Sequence, residues 1–198
     1  MFMLLSGSAA GRGGCMEIAG NKVVLRTAKE QDEELLISLV QDPGIAKVTG
    51  GYPSPASYGH QMDWFCIRAD SDGNQRYIIA DKGNPRVGLG IILLSQTGLK
   101  KGMAEVYIKL KKSARGKGYG ESAVNALVSF AFCELRLEQV CANILESNMP
   151  SRRLFEKCGF RLKGIHTGRE GQEGGCRNVY SYEIGCGNPC RKENPGGG

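Results

Sequence analysis

The 198-residue sequence has no apolar run approaching the ~20 residues that a helix needs to cross a bilayer. It also lacks a recognisable secretory signal. Its apolar start, Met1 to Leu5, is shorter than the ~7–15 apolar residues of such a signal, and no basic residue precedes it. Neither membrane association nor export is expected, and a cytoplasmic, reducing compartment is. The net charge of +6 is spread along the chain. There is no concentrated basic stripe, no aromatic platform at RNA-module spacing and no Gly-Lys-Ser/Thr phosphate loop, so no nucleic-acid partner is expected. Only two histidines occur, and His60 reads as structural or exposed. Of eight cysteines, Cys176, Cys186 and Cys190 cluster. A single CxxxC without a second ligand pair does not make a zinc centre, so no metal is expected. Cys66, Cys133, Cys141 and Cys158 fall in helix-like or strand-like segments and read as reduced, small apolar side chains.

What is present fits one domain with an ordinary core: 41% hydrophobic and 23% charged residues. Residues 1–20 read as a Gly/Ser/Ala-rich disordered leader, with Met16 as an alternative start. Residues 21–185 carry the periodic segments, and 186–198 are a Gly/Pro/Lys tail expected to be disordered. A strand at Lys22–Arg26 precedes a helix at Asp32–Val40. The helix carries Leu35, Leu36, Leu39 and Val40 at helical spacing behind Glu30, Asp32, Glu33 and Glu34, four acids read as a solvated first turn. Pro43-Gly44 stops it, and a second helix is expected from Ala56 to Arg68. Strands follow at Arg76–Ala80, Val87–Leu94 and Met103–Leu110. Gly88 and Gly90 inside the second of these predict a bulge or a close backbone approach. A helix from Glu121 to Leu135, a strand at Glu138–Leu145, a helix at Met149–Cys158 and strands at Phe160–Gly168 and Val179–Ile184 complete an α+β order. Asn148 reads as the N-cap of the last helix and Gly159 as its left-handed terminator.

The chain is organised around Arg115-Gly116-Lys117-Gly118-Tyr119-Gly120, between an alternating strand and the long helix. Glycines permit close backbone approach to an anion. The free amides of a helix's first turn and the positive end of its dipole favour a phosphate there. Alone, the six residues also read as a plain glycine turn with solvated Arg and Lys.

That order of elements, with Arg-Gly-Lys-Gly-Tyr-Gly and then Asn148 and Leu154-Phe155-Glu156-Lys157-Cys158-Gly159-Phe160 downstream, resembles the GCN5-related N-acetyltransferases (GNAT) over about Lys22 to Ile184. Within them it is most similar to the branch of ribosomal-protein alanine and spermidine acetyltransferases. The resemblance implies a mixed, mostly antiparallel sheet with flanking helices and splayed central strands. It also implies acetyl-CoA as the acyl donor and a primary amine as acceptor, either a peptide N-terminus, a polyamine or a small amine. A homodimer is a further expectation.

By the same resemblance, Arg115, Gly116, Lys117, Gly118, Tyr119 and Gly120 wrap the pyrophosphate. Ile108, Lys109 and Leu110 meet the pantetheine arm like an added strand, and Asn148 and Phe155 also contact the cofactor. The Ile108 amide would stabilise the developing oxyanion. Glu105 would act as base or amine anchor, unless it only pairs with a lysine across the sheet. Asn148 could equally be a pure N-cap. The acceptor site is expected between Pro43 and Trp64, with Tyr52 and Trp64 joining Glu105, and in the Gly168–Val179 loop. One departure stands out: many members carry a tyrosine acid where this chain has Phe155. Either Tyr107, Tyr119 or Cys158 substitutes or the thiolate leaves unprotonated, and a CoA-binding module without transferase activity is the alternative reading.

Overall fold

The computed structural model describes residues 17–45, 74–96, 99–168 and 177–187. The helix expected from Ala56 to Arg68, with Tyr52 and Trp64, lies outside them, as do most of the Gly168–Val179 loop and the expected terminal tail beyond 187. Among the described residues, eight strands form one sheet: β1 (Ile18–Ala19), β2 (Val23–Arg26), β3 (Asn74–Asp81), β4 (Gly88–Ser95), β5 (Met103–Leu110), β6 (Gln139–Leu145), β7 (Arg161–Gly168) and β8 (Arg177–Gly185). Their order across the sheet is β1-β2-β3-β4-β5-β6-β8-β7. Ile18 and Ala19, expected in the leader, instead pair with Leu25 and Val24. All neighbours are antiparallel except β5 and β6. Parallel neighbours need a crossover. Here it is the helix α2 (Tyr119–Cys133), entered through the glycine turn.

Strand alternation divides the side chains between two faces. Val23, Leu25, Tyr77, Ile79, Ile92, Leu94, Ala104, Val106, Val140, Ala142, Ile144 and Tyr182 join Val124, Leu127 and Ala131 of α2 in the main core. The opposite face carries Ile78 with Leu36 of α1 (Glu33–Gln41), and beside them a buried ion pair. Arg26 and Asp32 are each 1% exposed, joined by two bonds of 2.7 and 2.8 Å. Asp32 is therefore no solvated first-turn acid, as its neighbours in sequence suggested. It is the counter-ion that makes a charged β2 residue tolerable inside.

Both glycine expectations in β4 hold. The β3–β4 register shifts between Ile79 and Ala80, which oppose Gly90 and Gly88. A Cβ on Gly90 would collide with the Lys109 carbonyl oxygen at the end of β5. The helix α3 (Met149–Lys157) begins at Asn148, whose Oδ1 accepts the Ser151 amide at 3.2 Å. It ends with Gly159 at φ +87°. There Phe160 N–H donates to the Phe155 carbonyl and Gly159 N–H to that of Glu156, the paired closure of a left-handed helix terminus. Cys141 and Cys158 are free thiols in half-buried or buried positions. Cys133, expected to be reduced as well, is disulfide-bonded.

Candidate active site

The β5–β6 ladder consists of Met103↔Gln139, Ala104↔Val140 and Glu105↔Cys141, and stops there although both strands continue. Each keeps its other neighbour. β5 stays paired to β4 as far as Leu110↔Gly90, and β6 to β8 as far as Leu145↔Val179. The two strands therefore part. A cleft of about 490 Å³ opens beyond the split, walled by Ile108–Leu110 of β5, Arg115, Gly116, Gly118, Gly120 and Glu121 of the turn and α2, and Asn148, Pro150, Ser151, Leu154 and Lys157 of α3. Gly44 and Ile45 complete the wall.

The turn at the head of α2 has a backbone that only glycine adopts without strain, with φ +74° at Gly116 and +81° at Gly118. Gly118 is the N-cap and has no side chain to bond the first-turn amides, which leaves them to an anion from the cleft. Gly120 is small for a second reason: its missing Cβ would lie 3.3 Å from both Leu110 and Leu154, so its absence lets β5, α2 and α3 close together. Three bonds anchor this turn from behind. Lys22 N–H donates to Ser122 Oγ at 2.8 Å, Lys22 Nζ to the Lys117 carbonyl at 3.1 Å, and the Tyr119 hydroxyl to Asp81 Oδ2 at 2.9 Å. The Tyr119 bond holds the Asp81 carboxyl below the usual carboxylate range and pushes the Tyr119 phenol up.

Eight of the expected cofactor residues thus meet at one cleft: Ile108, Lys109, Leu110, Arg115, Gly116, Gly118, Gly120 and Asn148. Asn148 caps α3 and lines the cleft at once. Three do not place their side chains there. Lys117 and Tyr119 line a separate hollow with Lys22, Asp81, Lys82 and Gly83. Phe155 is 3% exposed, edge-on to Phe160 at 5.0 Å. Its neighbour Leu154 faces the cleft instead, with Ser151 and Lys157 at three-residue spacing on the same helical face. That stripe, together with the helix start at Asn148, was the available sequence signal for Ser151, Leu154 and Lys157.

Charges around the cleft are largely engaged. Arg115 donates from Nη2 to Asp42 Oδ2 at 2.6 Å and from Nε to the Leu110 carbonyl at 2.9 Å. Lys157 pairs with Glu121 at 2.6 Å, which pushes the lysine up. Burial lowers the Lys109 ammonium. Glu105 sits at the last rung before the split. Its Oε1 accepts from Asn143 Nδ2 at 3.0 Å, and among the described residues no lysine pairs with it. Of the substitutes for a tyrosine acid, the Tyr119 hydroxyl is committed to Asp81. The Cys158 thiol is pushed up to about 11 by burial and lies 4.0 Å from the Glu121 carbonyl.

Residues 22–161 match the acetyltransferase (GNAT) domain. An uncharacterized N-acetyltransferase, p20, of Bacillus licheniformis is 24% identical over 167 residues, covering 82% of this chain and 92% of its own. A GNAT-family acetyltransferase structure from Bacillus anthracis superposes with a TM-score of 0.74 at 19% identity, over 86% of this chain and 98% of that one. The spermidine N-acetyltransferase of Vibrio cholerae, solved with CoA and spermine, superposes at 0.71 and 18% identity, over 82% and 95% of the two chains.

Proposed function

The chain belongs to the GNAT acetyltransferase family, and on that premise we propose that it moves the acetyl group of acetyl-CoA to a primary amine by direct attack. The observation that carries the reading is the split between β5 and β6 running into the glycine turn. A long, narrow acyl carrier with a diphosphate needs an extended slot ending in an anion site, and the residues present fit it. Gly116 and Gly118 expose amides without side chains, Gly120 keeps the floor narrow, and Leu110 and Leu154 supply apolar walls for the pantetheine arm. Arg115 would hold the pyrophosphate through its guanidinium, and Gly116, Lys117, Gly118, Tyr119 and Gly120 through the backbone of the turn and the start of α2. Asn148 would hydrogen-bond the arm. When bound, acetyl-CoA supplies the activated acyl group.

The chain's own contribution is position and proton transfer. The Ile108 amide on β5 would donate to the carbonyl oxygen that gains charge, an effect of roughly 3–4 kcal/mol where a comparable donor has been deleted. Glu105, three residues earlier on the same strand, takes a proton from the acceptor ammonium, directly or through a water, because only the neutral amine attacks. The acceptor approaches from the Glu105 face. A polyamine is one candidate, supported by the spermine-bound structural neighbour and by the alignment of Glu105, Cys141 and Glu183 in one cross-strand row. Peptide N-termini and small amines are the others.

Thiol release from acetyl-CoA, corrected for the protein's cysteines, should show turnover on at least one of spermidine, alanine-initial peptides, aminoglycosides or free amino acids. Glu105→Gln should lower kcat by about 10²-fold with acetyl-CoA affinity unchanged by calorimetry. Failure of the parent protein to bind acetyl-CoA would remove the cleft assignment. Parent-like turnover in Glu105→Gln would remove the base.

A further inference from the structure

Glu105 does not stand alone on its face of the sheet. Asn143 lies two residues along β6 from Cys141, the cross-strand partner of Glu105, and Ser181 of β8 is the direct partner of Asn143. Because side chains alternate, these registers put Glu105, Asn143 and Ser181 on one face across three strands. The geometry is continuous: Ser181 Oγ donates to Asn143 Oδ1 at 2.6 Å, and Asn143 Nδ2 donates to Glu105 Oε1 at 3.0 Å. The direction of this chain follows from chemistry. An ionised carboxylate only accepts, so the amide must present its NH₂ to Glu105 and its oxygen to Ser181, whose hydroxyl is then the donor.

We propose that Asn143, oriented by Ser181, is a positioning residue that holds the Glu105 carboxylate for proton abstraction from the acceptor. This rests on Glu105 being the base. A glutamate side chain has three torsions, and at the last rung of a parting ladder the backbone on one side no longer constrains it. Tying Oε1 to Asn143 fixes the carboxylate plane and leaves Oε2 for the acceptor. The role of Ser181 is one step removed: its hydroxyl holds the Asn143 oxygen at the far end, so that the amide plane is fixed at both ends and not by the Glu105 bond alone. The remaining ionisable group in direct register with Glu105 is the Cys141 thiol, pushed up to about 11 by burial and by the neighbouring Glu105 and Glu183 carboxylates. It stays protonated at neutral pH and adds no competing charge.

The test is a double-mutant cycle between Asn143→Leu and Glu105→Gln, read as thiol release with spermidine, an alanine-initial tripeptide and an aminoglycoside. Asn143→Leu should lower kcat by about tenfold, with KM for acetyl-CoA unchanged, and should have no further effect in the Glu105→Gln background. Asn143→Gln should recover part of the loss, and Ser181→Ala should produce a smaller one. Should Asn143→Leu lower kcat equally in both backgrounds, Asn143 acts on the sheet and not through Glu105, and the proposal falls. Parent-like kcat in Asn143→Leu overturns it as well, whereas parent-like kcat in Glu105→Gln overturns the base assignment instead. A reading independent of turnover and of a leucine's effect on folding is the Asn143 side-chain amide in ¹⁵N NMR. Its two protons should shift in Glu105→Gln and in Ser181→Ala, and unmoved resonances would mean that the hydrogen-bonded chain does not exist in solution.

Discussion

Arg115 of the glycine turn is held by Asp42 at the end of α1, Nη2 to Oδ2 at 2.6 Å. The arginine proposed to meet phosphate would therefore be shared between a carboxylate of the protein and the ligand. Asp42→Asn should raise acetyl-CoA affinity about two- to fivefold at low salt, less at high salt, because the pair is solvent-exposed. The hydrogen bond from Arg115 holds the Asp42 carboxyl below its ordinary 3.8. The ion pair is thus intact above that value and lost only as pH falls through the lowered one. The affinity difference between parent and variant should be constant from about pH 5 to 8, as read by calorimetry. Weaker binding by the variant would mean that Asp42 positions Arg115 for the phosphate.

Gly118→Glu should lower acetyl-CoA affinity by more than about 100-fold by putting a carboxylate at the helix terminus proposed to hold the pyrophosphate. Any residue other than glycine at φ +81° is strained by about 1–2 kcal/mol. Gly118→Ala separates the two effects, since it carries the strain without the charge. Calorimetry of both variants, with thermal unfolding as the control, checks this. Equal loss in the two would assign the effect to the backbone.

Phe155→Tyr should not restore a general acid. The ring is buried against Phe160, so a hydroxyl there costs about 1–3 kcal/mol unless it finds a partner. A lower unfolding temperature with unchanged kcat is expected. A gain in kcat would show that the ring turns into the cleft.

Asp32→Ala should cost about 3–5 kcal/mol, because it strands the Arg26 guanidinium in a site 1% exposed. Replacing both, as in Arg26→Met with Asp32→Leu, should recover only part. Arg26 also donates to the Pro85 and Thr27 carbonyls and Asp32 accepts the Lys29 amide, and those groups would lose their partners. Chemical denaturation measures each loss, and full recovery in the double variant would mean that these backbone bonds matter little.

Most of the fold was legible because its signals are local. Alternation marked the strands, three- and four-residue spacing marked the helices, and Asn148 and Gly159 marked helix ends that the structure confirms, while α2 starts at Tyr119, two residues before the expected Glu121. What was hidden depends on partners distant in sequence. Asp32 looks like its acidic neighbours until β2 brings Arg26 beside it. Tyr119 sits in the phosphate motif, yet its hydroxyl is claimed by Asp81, 38 residues away. Leu154 and Phe155 are adjacent apolar residues, and only the docking of α3 decides which lines the cleft and which fills the core. Asn143 and Ser181 carry no motif at all. Their meeting with Glu105 is a product of strand register.

The short ladder between β5 and β6 also has a mechanical consequence. Three residue pairs and one helix are the seam between two well-zipped panels, β1 to β5 on one side and β6, β8 and β7 on the other. An extended molecule lodged along the gap would bridge both panels and act as a splint across that seam. Amide exchange should then slow on the facing edges of both panels together when the slot is filled. The enzyme at work would be a stiffer body than the enzyme at rest.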